Sequence, residues 1–337
     1  MYKRVLSLLI ALFMLFLTGC SSFKPFKKEA ALSDLPPEAI FVDGTAIFNE
    51  TLKLLNSAQK SIYVEQATFD DPRLLQVLIE KAQVGVEVRV LLDQWENQKA
   101  NRGTLNELKN HSISAQFYPA QKGQFNHVKM LVVDHTRALV YGPSWTKDDF
   151  DAHSIAVELS GKSAWTAARV FARDWEFTTT LSLDVPKTTS LPEDNITLAT
   201  DARLKQQLLN QIGGSTKNIL LVVTEVSDED IVQALIDAAR KGKEIRLILD
   251  PQAEATTVKK LQAAGIQIRL FKNAAQRSLL RMALIDGKTF FFSSSGWTYS
   301  CFVINHELSL TAPSPKATAK LVQLFDQDWA NSTQAIK

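Results

Sequence analysis

The sequence predicts an α/β fold made of two duplicated α/β halves. From residue 40 onward, short β-rich runs alternate with helical stretches, the pattern of α/β units. Residues 61–93 align without a gap on residues 218–250, with 11 identities in 33 positions. A period of about 150 residues marks duplication of a domain rather than a solenoid. The 337 residues, 45% hydrophobic and 22% charged with 13 Gly and 11 Pro, suffice for one large or two medium packed domains. That composition excludes disordered, collagen-like and disulfide-scaffold chains.

The chain starts with Lys3-Arg4 and an apolar run over residues 5–17 broken only by Ser7. This is shorter than the roughly 18 residues that span a bilayer and has the shape of a secretory signal. It ends in Leu17-Thr18-Gly19-Cys20, which resembles a bacterial lipoprotein signal. The resemblance implies removal of residues 1–19 and acylation of Cys20. Ser21 then implies sorting to the periplasmic face of an outer membrane, where the host has one. An uncleaved anchor helix is the other reading. Acyl chains contribute about 0.8 kcal/mol per buried methylene.

Residues 20–38 read as a tether whose Lys24, Lys27 and Lys28 could face anionic headgroups at about 1 kcal/mol each, or simply be solvated. Lys plus Arg total 38 against 36 Asp plus Glu, and the excess of two is Lys3 and Arg4. A chain starting at Cys20 has zero net charge, which argues against wrapping a nucleic acid. Cys20 and Cys301 are too far apart for a metal knuckle. Acylation of Cys20 would leave no internal disulfide.

The first half is expected over residues 39–180, a Pro-containing connector over 181–198, the second half over 199–332 and a tail over 333–337. In each half an apolar strand (62–64, 219–223) leads to an amphipathic helix, a shared Gly (Gly85, Gly242) and a strand ending in Asp93 or Asp250. Next come a helix (105–110, 258–264), a strand (113–117, 266–271) and an apolar strand closed by Asp134 or Asp286. Later, Val157-Glu158-Leu159 is matched to His306-Glu307-Leu308, and Phe171-x-x-Asp174-Trp175 to Phe325-x-x-Asp328-Trp329. The two tryptophans are expected to close the core of each half, and Phe290-Phe291-Phe292 to be a buried strand. Asp93 and Asp250 read as caps or turns.

Residues 127–134 contain His-x-Lys-x4-Asp on a predicted strand. Residues i and i+2 of a strand share a face, so His127 and Lys129 project together. An imidazole beside an ammonium suits phosphate chemistry, by nucleophilic attack or proton transfer with charge neutralisation. This motif in a duplicated α/β chain resembles the phospholipase D superfamily over residues 40–332. The resemblance implies two halves related by a pseudo-twofold axis, with one motif from each meeting at the site. One histidine attacks phosphorus and the other protonates the leaving alcohol, without a metal or other cofactor.

Carried over, His127 is the nucleophile or acid/base, Lys129 the phosphate ligand and Asp134 the motif carboxylate. Glu158 falls where the family orients the histidine. Gly142-Pro143-Ser144-Trp145-Thr146 departs from the family's Gly-Ser-x-Asn, leaving Ser144 and Thr146 as weaker phosphate ligands. In the second half, Leu279 stands at the histidine position and Arg281 at the lysine position; Arg281, Ser294 and Glu307 are the further substrate-binding candidates. Leucine moves no proton, whereas Arg281 can still bind a phosphate oxygen.

Three explanations fit this asymmetry. His127 acts with water or another side chain, His306 or His153, as acid; two chains pair their intact motifs; or the chain binds phosphate headgroups without catalysis. The leading reading is a membrane-tethered phosphodiesterase acting on phospholipid by hydrolysis or phosphatidyl transfer. A superfamily nuclease and a non-catalytic lipoprotein are the alternatives. The sequence carries no signal for oligomeric state.

Overall fold

The apolar runs fold into two sheets with one wiring. The computed structural model describes residues 34–187, 191–273 and 276–335. The first sheet contains β1 (Ile40–Val42), β2 (Ser61–Gln66), β3 (Glu87–Leu92), β4 (Ser114–Phe117), β5 (Met130–Val133), β6 (Arg137–Tyr141) and β7 (Ile155–Ser160), in the order β1-β7-β6-β5-β2-β3-β4. The second contains β8 (Thr197–Thr200), β9 (Asn218–Val223), β10 (Glu244–Leu249), β11 (Gln267–Leu270), β12 (Met282–Ile285), β13 (Thr289–Ser293), β14 (Leu308–Ala312) and β15 (Thr333–Gln334). Its order, read from β8, repeats the first sheet strand for strand and adds β15 at the far edge. The ladders β2–β3–β4 and β9–β10–β11 are parallel, and the remaining pairs antiparallel.

The identities of the repeat have local causes. Asp71 and Asp228 cap the Pro72–Gln83 and Glu229–Arg240 helices, their carboxylates accepting backbone N–H groups of the first turn. Gly85 and Gly242 follow those helices at φ 88° and 82°, a region that favours glycine.

Central strands are apolar on both faces because both faces are covered. On β5, Met130 and Val132 enter a core shared by the two halves, while Leu131 and Val133 meet the helices of their own half. On β12, Met282 and Leu284 point inward, and Ala283 and Ile285 outward. The Gly161–Thr179 and Pro315–Asn331 helices join the shared core through Phe171, Trp175, Leu321 and Phe325. Trp329 packs against it half-buried, and Phe290, Phe291 and Phe292 are fully buried on β13.

The folded chain departs from the expected boundaries at its edges. Leu35 is buried and its N–H donates to Ser314 Oγ at 2.9 Å, so packing begins inside the stretch read as tether. β8 starts within the expected connector, and Thr333–Gln334 of the expected tail form β15 against β11. Cys20, the signal and residues 21–33 lie outside the described residues.

Candidate active site

The extended run that carries His127 enters β5 along the seam between the halves. His127 N–H donates to His306 O at 2.8 Å, and His306 N–H donates to Phe125 O at 2.8 Å. The second half repeats this: Leu279 N–H donates to His153 O at 2.8 Å, and His153 N–H to Arg277 O at 2.9 Å. Such reciprocal pairs are what a twofold relation between halves requires. They put Leu279 opposite His127 and Arg281 opposite Lys129. Val128 and Met130 are in the shared core, so the alternation of an extended chain sends His127 and Lys129 the other way.

His127 is oriented by the second half. Glu307 Oε1 lies 2.6 Å from His127 Nδ1, its Oε2 accepts the Ser294 hydroxyl, and Asn305 Nδ2 is 3.4 Å from Nδ1. Phe125 stacks on the imidazole at 5.6 Å. Burial would raise the Glu307 carboxyl, but the His127 ring and the hydrogen bonds from His127, Ser294 and Ser295 outweigh it and hold the group below the usual carboxylate range.

This corrects the expectation for Glu158, which sits on β7 and pairs with Arg137 Nε at 2.9 Å, away from His127. The strand registers explain the error. Ala156 pairs with Tyr141, and Ser309 with Ser293, so the first-half counterpart of Glu307 is Ser154, four residues before Glu158. Likewise His153, not Val157, corresponds to His306. Ser294 and Glu307, expected to bind substrate, instead support His127 from behind.

Lys129 and Arg281 meet in a cleft of about 320 Å³, also lined by Ser144, Thr146, Arg277, Leu279 and the acidic Asp70, Glu96, Asp148 and Asp149. Lys129 Nζ donates to Ser294 O at 2.7 Å; Arg281 Nη1 donates to Leu279 O at 3.1 Å, and its buried Nε has no partner. Burial depresses the pKa of each; for Lys129 the neighbouring Arg281 charge depresses it further. Among the described residues the ion pairs bordering this cleft involve His127, Lys147 and Arg277, never Lys129 or Arg281. Ser144 N–H donates to Asp149 Oδ2 at 2.7 Å, and Thr146 Oγ1 accepts from Asp149 N–H at 3.0 Å while capping the short Lys147–Phe150 helix.

Glu96 escaped the sequence reading. Its Oε2 lies 3.5 Å from His127 Nε2. The Asp93 carboxylate accepts N–H groups from Trp95, Glu96 and Asn126, tying the loop after β3 to the run that carries His127. The available signal was a strand-terminal Asp three residues before a Glu, and its turn role is as expected.

Asp134 does not reach the site. It follows β5 at φ 50°, and its carboxylate accepts the N–H groups of Gln59, Lys60 and Ser61, pinning the start of β2. About 3.3 Å per residue separates it from His127 by some 20 Å along the chain. Asp286 does the same for Thr216, Lys217 and Asn218.

His153 and His306 are not spare acids for the cleft. His153 Nδ1 and Nε2 meet Asp43 at 2.7 Å and Asp328 at 3.0 Å; His306 meets Asp201 at 2.7 Å and Asp174 at 3.1 Å. Burial would lower the pKa of His153, but its two carboxylates outweigh that and raise it to about 9. Its protonation therefore stabilises the fold fully below about pH 6.5, and that stability, up to about 3 kcal/mol, is lost as pH rises through 9. Urea unfolding at pH 6.5 and 9.5 should show wild type losing midpoint concentration, and His153→Gln losing markedly less. Equal losses would refute the assignment.

The comparisons with known proteins agree with this architecture. The profile for the PLD-like domain of cardiolipin synthase matches residues 51–175 and 208–329, one segment in each half. The chain belongs to the phospholipase D-like family. A probable cardiolipin synthase, YwiE of Bacillus subtilis (strain 168), is 23% identical over 334 residues, covering 87% of this chain and 66% of that protein. A mitochondrial cardiolipin hydrolase of Chlamydomonas reinhardtii is 28% identical over 126 residues, covering 36% of this chain and 56% of the other. Among solved structures, phosphatidylserine synthase of Haemophilus influenzae Rd KW20 shares the fold with a TM-score of 0.71 at 12% identity, covering 90% of this chain and 88% of that one.

Proposed function

We propose that the chain is a phospholipid phosphatidyltransferase or phosphodiesterase working through a phosphohistidine on His127, held at a lipid surface by acylated Cys20. The observation that carries this is a pair of cations, the buried Lys129 and the part-buried Arg281, neither in an ion pair among the described residues, in a cleft next to a carboxylate-oriented imidazole. Buried unpaired charge is costly, and a phosphodiester supplies the missing anion. The relatives named as cardiolipin synthase and cardiolipin hydrolase favour a phospholipid, by transfer or by hydrolysis.

Glu307 at Nδ1 keeps the ring proton there, so Nε2 presents its lone pair. Nε2 attacks phosphorus, a P–N bond forms, the P–O bond to the leaving alcohol breaks, and that oxygen takes a proton. Water or an acceptor alcohol then attacks phosphorus, loses a proton and breaks the P–N bond. Lys129 and Arg281 neutralise the equatorial oxygens in both steps.

Leu279 moves no proton, and Glu96 is the cleft carboxyl beside Nε2; it serves here as acid and base. Glu96→Gln should lower kcat by roughly 10²–10⁴-fold with little change in KM. An unchanged kcat would remove Glu96 from the mechanism.

The test of the whole reading offers the full chain phosphatidylcholine, phosphatidylglycerol and cardiolipin in mixed micelles, with and without added glycerol. Released headgroup, transferred product and alkali-stable phosphohistidine are measured. Turnover with a trapped intermediate is expected. No product and no intermediate from any lipid would leave a headgroup-binding protein, and cleavage of DNA alone would leave a nuclease.

A further inference from the structure

Away from the cleft, three buried polar atoms point at one another across the seam. Glu65 on β2 and Asp174 on the Gly161–Thr179 helix come from the first half, His306 from the second. They are 0%, 3% and 7% exposed. Asp174 Oδ2 lies 3.1 Å from His306 Nε2, Glu65 Oε1 lies 4.0 Å from the same nitrogen, and a ligand atom from each falls within 4.8 Å of the other two. Glu65 Oε2 lacks a hydrogen-bond partner, and Asp174 Oδ2 and His306 Nε2 meet only each other, as an ion pair at 3.1 Å outside hydrogen-bond alignment.

We propose that Glu65, Asp174 and His306 form a structural site for a divalent ion of the zinc class, stapling the two halves together. This stands independently of the catalytic reading. Bonds of about 2.0–2.2 Å place ligand atoms roughly 3.4 Å apart around tetrahedral zinc; the Asp174–His306 pair at 3.1 Å is near that spacing, and Glu65, 4.0 Å from His306 Nε2, would have to draw in by about half an ångström. One ion would give Glu65 Oε2 a partner and take the place of the misaligned Asp174–His306 contact. An imidazole with two carboxylates is a donor set suited to zinc or manganese.

The surroundings are those of a metal-bound histidine. His306 Nδ1 is held by Asp201 at 2.7 Å, the carboxylate–histidine arrangement that orients a ligating ring. Asn126 Nδ2 donates to Glu65 Oε1 at 2.8 Å, and Tyr118 stacks on His306 at 4.6 Å. Beside Glu65, Asp174 and Asp201, the Arg173 guanidinium donates to Asp174 Oδ1 at 3.0 Å and the His306 ring lies between Asp174 and Asp201.

The fold supplies its own control. His153 has the same neighbours by symmetry, Asp43, Asp328 and a stacked Phe271, and both of its ring nitrogens are hydrogen-bonded. There the position of Glu65 is Val222, since Glu65 pairs with Met130 and Val222 with Met282. The clamp therefore works without a third carboxylate, and the buried Glu65 is an addition confined to one copy.

The test uses the full chain stripped with chelator and titrated with Zn²⁺, Mn²⁺ and Mg²⁺. Metal content and Tm are read, and Co²⁺ is used for its absorption bands. One equivalent of Zn²⁺ and a raised Tm are expected, with loss of both in Glu65→Gln, which keeps side-chain size. Glu158→Gln, outside the cluster, should retain the metal, and Asp201→Asn should bind it about 10–100-fold more weakly. Wild type that takes up no metal and shows an unmoved Tm would overturn the site, as would Glu65→Gln that binds as tightly as wild type. Should Glu65→Gln fail to fold, Asp201→Asn decides: Zn²⁺ binding as tight as that of wild type would overturn the site.

Discussion

Replacing His127 by alanine is expected to lower turnover by roughly 10⁴–10⁶-fold and to abolish the alkali-stable phosphoprotein, because loss of a nucleophile in a covalent mechanism removes the whole pathway rather than one increment of it. Binding should survive. Lys129 and Arg281 remain to hold the phosphoryl oxygens, so the affinity for a phospholipid headgroup changes little. Glu307→Gln sharpens the expectation, since glutamine fills the same space beside Nδ1 without the charge that favours an N–H there. A drop of about 10²–10⁴-fold should follow, by analogy with loss of the orienting carboxylate in a serine-protease triad. If His127→Ala turns over phospholipid at the wild-type rate, the cleft is not the site of chemistry.

Much of this was legible in the chain. The gapless repeat and the alternation of strands with helices gave both sheets and their duplication, since helix caps, the Gly turns and doubly buried strands leave local marks. His127, Lys129, Leu279 and Arg281 were placed by counting along a motif lying in one extended run. What failed depended on pairing between segments distant in sequence. Glu158 was matched to Glu307 on three similar letters, whereas strand register makes Ser154 the counterpart, and a shift of four residues leaves no trace in composition. Asp134 looked catalytic because it closes the motif, but seven extended residues carry it to the far end of the strand. Glu96 reaches His127 only because Asp93 folds the intervening loop back, a tertiary event. His153 and His306 resembled loose acid candidates because nothing local reveals that a carboxylate from each half holds them.

Restoring the second half-site is expected to rescue an enzyme deprived of Glu96. In the working half-site His127, Glu307 and Ser294 form a chain, the serine hydroxyl donating to the glutamate and the glutamate holding the ring. The symmetric positions are Leu279, Ser154 and Gly142, because Gly142 N–H donates to Ile155 O just as Ser294 N–H donates to Leu308 O. All three groups of the chain are therefore lost together, and Ser154 Oγ is left buried without a partner. Leu279→His alone would place an imidazole with no carboxylate to orient it. Leu279→His with Ser154→Glu supplies both. Gly142→Ser is left out of the graft, because its Cβ would collide with the γ atom of residue 154 and crowd the Ile155 and Leu279 carbonyl oxygens at 3.1 and 3.3 Å. In the Glu96→Gln background this graft should recover roughly 10²–10⁴-fold in kcat, the worth of a positioned acid. In the wild-type background the gain should be much smaller, because Glu96 already moves the proton. An equally large gain in both backgrounds would reverse the roles assigned here: proton transfer would limit the natural enzyme and Glu96 would take no part in it.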